Sequence, residues 1–299
     1  MSSSSSSSSP YNAASLFGVK ELVAVVTGGG SGLGAITTHA LVANGAKAVY
    51  ILGRREEALL TTKKNASNPD VVHTIVCDVT SKDSLAAAAN LVREETGYIN
   101  VLYANSGVIK AATAPHDASD DIKSLQQKLW KPDMEDFTTT LHVNVTGAFY
   151  TAIAFLDLLD DGNKRAIVAA KSQIILISSI ASFSRTPLAG FSYSASKAAI
   201  TQLTKQLSST LAQYKIRVNA IAPGFFPSEM TQDMPHMKTE KNPREEGALH
   251  SSVVPLERVG SEEDFAGVAL FLASKAGGYV DGAIILADGG RISLLPSSY

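Results

Sequence analysis

Leu22-Val23-Ala24-Val25-Val26-Thr27-Gly28-Gly29-Gly30-Ser31-Gly32-Leu33-Gly34 decides how this chain folds. Its first five residues are a continuous apolar run bounded by a turn signal, which reads as a strand buried on both faces. The glycines after it permit a tight turn. They also let an anion approach the N-terminus of the next helix, where free N–H groups and the helix dipole favour negative charge. The turn follows a strand and opens a helix from about Leu33 to Asn44, the context in which a dinucleotide pyrophosphate is bound. The spacing is Gly28-x-x-x-Gly32-x-Gly34, not the common GxGxxG.

Working outward, the pattern repeats. Ala48 to Leu52 reads as a second strand, Val71 to Cys77 as a third and Asn100 to Ala104 as a fourth. Ile174 to Ile177, Ile216 to Ile221 and Ala283 to Ala287 complete seven. Between them lie helical stretches: one after Glu56, one capped by Ser81, a long one over Met134 to Leu159, one inside Gly190 to Tyr214, and Glu262 to Ala273. Strands alternating with helices predict an α/β fold, a single Rossmann-type, doubly wound parallel sheet of seven strands with helices on both faces. Residues 16–299 are expected to form this one domain. Residues 1–15, led by a run of serines, are expected to be a disordered tail. Lys110 to Asp136 reads as a loop with a helical turn or two, including Leu125 to Trp130. Residues 225–252, with three prolines and three methionines, read as a substrate flap with helical pieces.

Phe191-Ser192-Tyr193-Ser194-Ala195-Ser196-Lys197 lies in the run Gly190 to Tyr214, which has no proline, and residues four apart share one helix face. Tyr193 and Lys197 would therefore enter one pocket. A cation beside a phenol favours the phenolate, so the pair suits proton transfer.

The second strand bears on the cofactor. An acid about 20 residues after the glycine turn would bind the ribose 2′-hydroxyl of NAD. Gly53 stands there instead, followed by Arg54. A guanidinium suits a 2′-phosphate, which favours NADP(H). The plainer alternative is that Arg54 only starts a surface helix. Asp78, ending the third strand, is placed to accept from the adenine amino group.

The chain has 299 residues, 45% hydrophobic and 18% charged, with net charge −2. These values suit a globular enzyme and give no basic signature for nucleic acid. No apolar run reaches the length of a membrane span. The serine-rich start lacks the apolar core of a secretory signal and the arginines of an organelle transit peptide. One cysteine, Cys77, excludes an intrachain disulfide and fits a reducing compartment. The expected location is cytoplasmic. Six scattered histidines give no metal-ligand pattern, so no metal is expected.

Taken together, Thr27-Gly28-x-x-x-Gly32-x-Gly34, Asp78, Asn105-Ser106-Gly107, Asn144, Ser179, Tyr193-x-x-x-Lys197 and Pro223-Gly224 resemble the short-chain dehydrogenase/reductases. The order is the family's, and the match runs from about Phe17 to Gly290. Ala222 to Thr231 looks most like the 3-oxoacyl-[acyl-carrier-protein] reductases linked to rhamnolipid biosynthesis. The resemblance implies a hydride transfer between NADP(H) and a ketone or secondary alcohol. It implies a catalytic set of Asn144, Ser179, Tyr193 and Lys197. Tyr193 would exchange the proton, Lys197 would lower its pKa and hold the nicotinamide ribose, Ser179 would bind the substrate oxygen, and Asn144 would position a water. The implied cofactor contacts are Gly28, Ser31, Gly32, Leu33, Gly34, Arg54, Asp78, Val79, Asn105, Gly107, Tyr193, Lys197, Pro223, Gly224, Phe226 and Ser228. It implies a homotetramer or dimer through the helices of Asn144 and Tyr193. Ser179 is one residue further from the tyrosine than is usual, which leaves Ser178 and Ser182 as rivals. Phe225, Phe226 and the flap methionines suggest an apolar substrate. Two other readings stay open: an NAD-linked alcohol dehydrogenase, and a non-redox or sensor protein on the same scaffold.

Overall fold

The computed structural model describes residue 9 and residues 11–110 and 119–298. In chain order the elements are α1 (Ala13–Phe17), β1 (Val23–Thr27), α2 (Gly32–Ala43), β2 (Ala48–Gly53) and α3 (Glu56–Asn65). Then come β3 (Val72–Val76), α4 (Lys82–Glu95), β4 (Val101–Ala104), α5 (Ile122–Trp130), α6 (Met134–Leu141), α7 (Ala148–Ala154) and α8 (Leu156–Arg165). β5 (Gln173–Ile177), α9 (Phe191–Leu211), β6 (Arg217–Pro223), α10 (Glu262–Ala273) and β7 (Ile284–Ala287) complete the fold.

The seven strands form one parallel sheet in the order β3-β2-β1-β4-β5-β6-β7. The apolar runs supply both of its faces. Val23 and Val25 of β1 join one core with Tyr50 and Leu52, under α4, α7, α8 and α9. Ala24 and Val26 join the other with Val49 and Ile51, under α2, α3 and α10. Successive strand residues point to opposite faces, so a run buried throughout needs helices on both sides. Each fully buried Val, Leu or Ile contributes roughly 1.5–3 kcal/mol, which makes these two layers the main stabilising term. The order reverses between β1 and β4. Their carboxyl ends therefore open a crevice at the switch point, where ligands bind in such sheets.

The N-terminal ends of β5 and β6 are stitched to their surroundings by polar groups. Arg217, buried at the start of β6, donates to the carbonyls of Lys171, Gly277 and Val280. Asn219 donates to Gln173 and Val280 and accepts from the Ala283 N–H. Buried polar atoms with partners of this kind avoid the desolvation penalty.

Three expectations need correction. Ala13–Ser15 of the expected tail stand in α1, capped by the Asn12 side chain. Met1–Ser8 and Pro10 lie outside the described residues. The long helix over Met134 to Leu159 is interrupted: a π-helical turn, His142–Gly147, separates α6 from α7, and the chain bends at Phe155 before α8. Within Lys110 to Asp136 the helical turns expected at Leu125 to Trp130 are present as α5, which starts at Ile122 and is capped by Asp121, while 111–118 lie outside the described residues. The flap is mostly turns, with one short 3-10 turn at Pro235–Met237. Among the described residues no single helix is long and apolar enough to cross a membrane. The pair Met134–Ala154 and Leu156–Arg165, bent by 43°, reaches that apolarity only when the two are taken together.

Candidate active site

A cleft of about 570 Å³ opens at the switch point. One end is the glycine turn. Gly28 has φ +66° and Gly32 φ +52°, conformations that side chains other than glycine rarely adopt. A Cβ on Gly34 would stand 2.2 Å from the Gly28 carbonyl oxygen, so the turn closes only without one. Thr27 and Asn105 lock the turn to β4. The Asn105 amide donates to the Thr27 carbonyl at 2.9 Å, and the N–H groups of Asn105 and Ser106 donate to Thr27 Oγ1 at 3.0 and 3.1 Å. Ser31 caps α2 by backbone conformation alone, its hydroxyl bonding no helix N–H, and the first turn of α2 holds no acid. The free N–H groups of that turn are therefore left for an anion.

Arg54, Asp78 and Val79 line the same end, with Cys77 beside them. The Asp78 carboxylate accepts from the Thr80 N–H at 2.9 Å and from its hydroxyl at 2.7 Å. The first of these, with the Arg54 charge further off, holds it below the usual carboxylate range. Burial pushes the Cys77 thiol up. Leu33, Gly107, Pro223, Gly224, Phe226 and Ser228 also reach the cleft wall. Ser228 turns its hydroxyl to Thr231 at 3.0 Å. Phe226 is buried against Phe265, edge on, at 5.6 Å.

At the other end stand Ser179, Tyr193 and Lys197. Ser179 stands just after β5 and caps the short turn Ile180–Ser182, its hydroxyl accepting from the Ala181 N–H at 3.2 Å. Tyr193 and Lys197 share one face of α9, with the ammonium 5.6 Å from the phenol ring centroid. Lys197 is 4% exposed and donates to the Ile177 carbonyl at 2.7 Å. Burial brings its pKa down to about 8. Burial also raises the Tyr193 pKa, and a hydrogen bond with Ser179 pulls it partly back. Desolvation outweighs the expected acidification by the lysine in this state, because the ammonium is spent on a carbonyl.

The rivals of Ser179 are turned elsewhere. Ser178 donates to the Lys197 carbonyl at 3.1 Å and bonds Thr201, tying β5 to α9. Ser182 donates back to the Ser179 carbonyl at 2.7 Å. Asn144 sits in the π-helical turn and is 1% exposed, behind the cleft wall rather than on it. Its amide accepts from the Val108 N–H at 2.8 Å and donates to the Val108 carbonyl and to Ser196 Oγ, each at 3.0 Å. Ser196 in turn donates to the Tyr193 carbonyl. Asn144 thus holds Gly107-Val108 and the Tyr193 turn together. A Cβ on Gly107 would fall between Asn144 Oδ1 (3.3 Å) and Lys197 Nζ (3.6 Å).

Sequence reasoning missed Ile109, Lys110, Arg55 and Glu229, which also line the cleft. Arg55 carried a signal in standing next to Arg54. Glu229 carried none, because only the folded flap brings it to the turn. The apolar flap residues divide. Met230 faces the cleft. Phe225 and Met237 instead pack in a small cluster with Leu249, Val254 and Val259, with Phe225 lying 4.4 Å from the Arg291 guanidinium. The turn, the free N–H groups and the arginine corner fit a phosphate-bearing dinucleotide. Among the described residues no cluster of acidic, His or Cys side chains could hold a metal.

Comparison with known proteins agrees with this geometry. Residues 22–239 match the family described as short chain dehydrogenase. The chain is 45% identical to a short-chain dehydrogenase/reductase, PhomF', of Diaporthe leptostromiformis, over 96% of this chain and 97% of the other. It is 30% identical to the rhamnolipids biosynthesis 3-oxoacyl-[acyl-carrier-protein] reductase of Pseudomonas aeruginosa, over 92% and 97%. Its backbone superposes on the Pseudomonas aeruginosa RhlG/NADP active-site complex with a TM-score of 0.76 at 28% identity, covering 93% and 98%.

Proposed function

Because the chain belongs to the short-chain dehydrogenase/reductase family, oxidoreductases of alcohol and carbonyl groups, we propose that it is an NADP(H)-dependent reductase of a ketone with an apolar body. The observation that carries this reading is the convergence of Ser179, Tyr193 and Lys197 at one end of a cleft whose other end is a phosphate-fitting turn. NADP(H) is favoured by Arg54 and Arg55 at the turn and by Gly53 standing at the end of β2 in place of an acid. Met230 and Ile109 on the wall favour an apolar substrate.

The glycine turn, the first turn of α2 and Arg54 would hold the phosphates, Asp78 the adenine, and Lys197 the nicotinamide ribose. The bound nicotinamide supplies or takes the hydride. Ser179 donates its hydroxyl to the substrate oxygen, where negative charge grows during reduction. Tyr193 holds the proton that this oxygen receives, and takes it back in oxidation. Its raised pKa keeps the phenol protonated and ready to donate at neutral pH. Asn144 acts as a positioning residue, through Val108 and Ser196.

Tyr193→Phe keeps the ring and removes the proton. Turnover of a ketone panel with NADPH should fall roughly a thousandfold, with NADPH affinity within a few-fold of wild type. Undiminished turnover in this variant rules out the proton role. A cytoplasmic location and self-association through α6–α7 and α9 belong to the same proposal. The second is supported by the exposed apolar side chains of Met134, Phe137, Tyr150, Ile153 and Phe191.

A further inference from the structure

Three residues from three segments meet across the phosphate end of the cleft. Arg55 follows β2, Ser31 closes the glycine turn, and Glu229 belongs to the flap. Arg55 Nη2 donates to Glu229 Oε2 at 2.6 Å and to Ser31 Oγ at 3.4 Å, while Ser31 Oγ lies 3.5 Å from Glu229 Oε2. The flap comes close here. A Cβ on Gly32 would be 3.2 Å from Ser228 Cβ, one residue before Glu229. The carboxylate thus stands beside Ser31, the N-cap of α2, and on the guanidinium next to Arg54. It holds the place in which an anionic ligand would be expected. The side chains of Arg55 and Glu229 are 63% and 58% exposed, so the pair is weak enough to exchange.

We propose that Glu229 is an internal competitor for the anion position and tunes the choice between NADP(H) and NAD(H). This rests on the NADP(H) reading above. A 2′-phosphate brings up to two negative charges to the arginine corner. It must take Arg55 from Glu229, or lie against the carboxylate. A ribose 2′-hydroxyl at the same corner meets neither cost. Glu229 therefore weakens NADPH more than NADH. The same ion pair holds the flap down on the turn when no cofactor is present, so cofactor entry and flap release are linked.

The test uses the full chain without substrate. NADPH and NADH are titrated calorimetrically into wild type, Glu229→Gln and Arg54→Ala, and trypsin cleavage within the flap at Lys238, Lys241 and Arg244 is timed without cofactor. Melting curves check that each variant is folded. Glu229→Gln should tighten NADPH about threefold to fivefold and leave NADH within twofold, in keeping with the strength of an exposed ion pair. Its flap should be cut about threefold faster. Unchanged NADPH affinity, an equal gain for both dinucleotides, or unchanged cleavage overturns the role of Glu229. In any of these cases the cofactor reading stands if Arg54→Ala still loses NADPH selectively. If wild type has no preference for NADPH and Arg54→Ala weakens both dinucleotides alike, the cofactor reading and the inference fall together.

Discussion

Lys197 shows what the site costs at the level of one side chain. Unfolded, its ammonium would give up its proton near the ordinary 10.5; folded, it does so at about 8. Between those values the unfolded chain binds the extra proton, so stability rises with pH across that window. Below it the buried cation costs roughly 3 kcal/mol, offset in part by its bond to the Ile177 carbonyl. Lys197→Met should therefore raise stability at pH 7 by roughly 1–2 kcal/mol while removing activity. Cofactor-free denaturant unfolding at pH 7 and pH 10.5 checks this, and the advantage of the variant should shrink at the higher pH. The Tyr193–Lys197 pair was legible in the sequence because helical spacing fixes which residues share a face. The state of the phenol was not legible. It depends on burial and on where the ammonium points, and both are set by β5, fifteen or more residues away.

At the level of elements, the stretch between Ser179 and Tyr193 is held from outside. The chain after β7 pairs with it. Ser184 and Ser297 form an antiparallel bridge, the Arg185 N–H donates to the Pro296 carbonyl at 2.8 Å, and the Ser298 N–H donates to the Phe183 carbonyl at 2.8 Å. Ending the chain after Leu295 should loosen this loop and raise the ketone KM severalfold. The melting temperature should fall by only a few degrees, because both cores lie elsewhere. Steady-state kinetics beside a thermal melt separates the two effects. Nothing local in Pro296-Ser297-Ser298 announces this pairing. The π-helical turn was equally hidden: the weak helix formers of His142–Gly147 lower helix propensity without announcing a wider turn, and the wider turn serves to aim Asn144 at Val108. By contrast α10 was readable to the residue, because Ser261 and Asp264 form a reciprocal capping box at its start.

For the whole molecule, the glycine turn and the seven apolar runs were enough to specify a doubly wound sheet, because continuous burial and crossover helices leave few alternatives. What those runs do not specify is how much of the surface is spare. Trp130 and Met134 are 84% and 87% exposed, and Phe137, Tyr150 and Ile153 continue along α6 and α7. Apolar side chains gathered this way mark an association surface. Light scattering should find a dimer or tetramer, and Met134→Asp with Ile153→Asp should shift it to monomer without loss of helical signal. A monomeric wild type at micromolar concentration would contradict this.

Cys77 is the chain's one thiol, and it lies beside Asp78 at the glycine-turn end of the cleft, buried and with its pKa raised. A thiol in that setting is shielded from electrophiles until the sheet opens. The protein therefore carries a built-in chemical clock. Under iodoacetamide each molecule should gain one carbamidomethyl group, at the rate of its own opening, and saturating NADPH should slow that clock further.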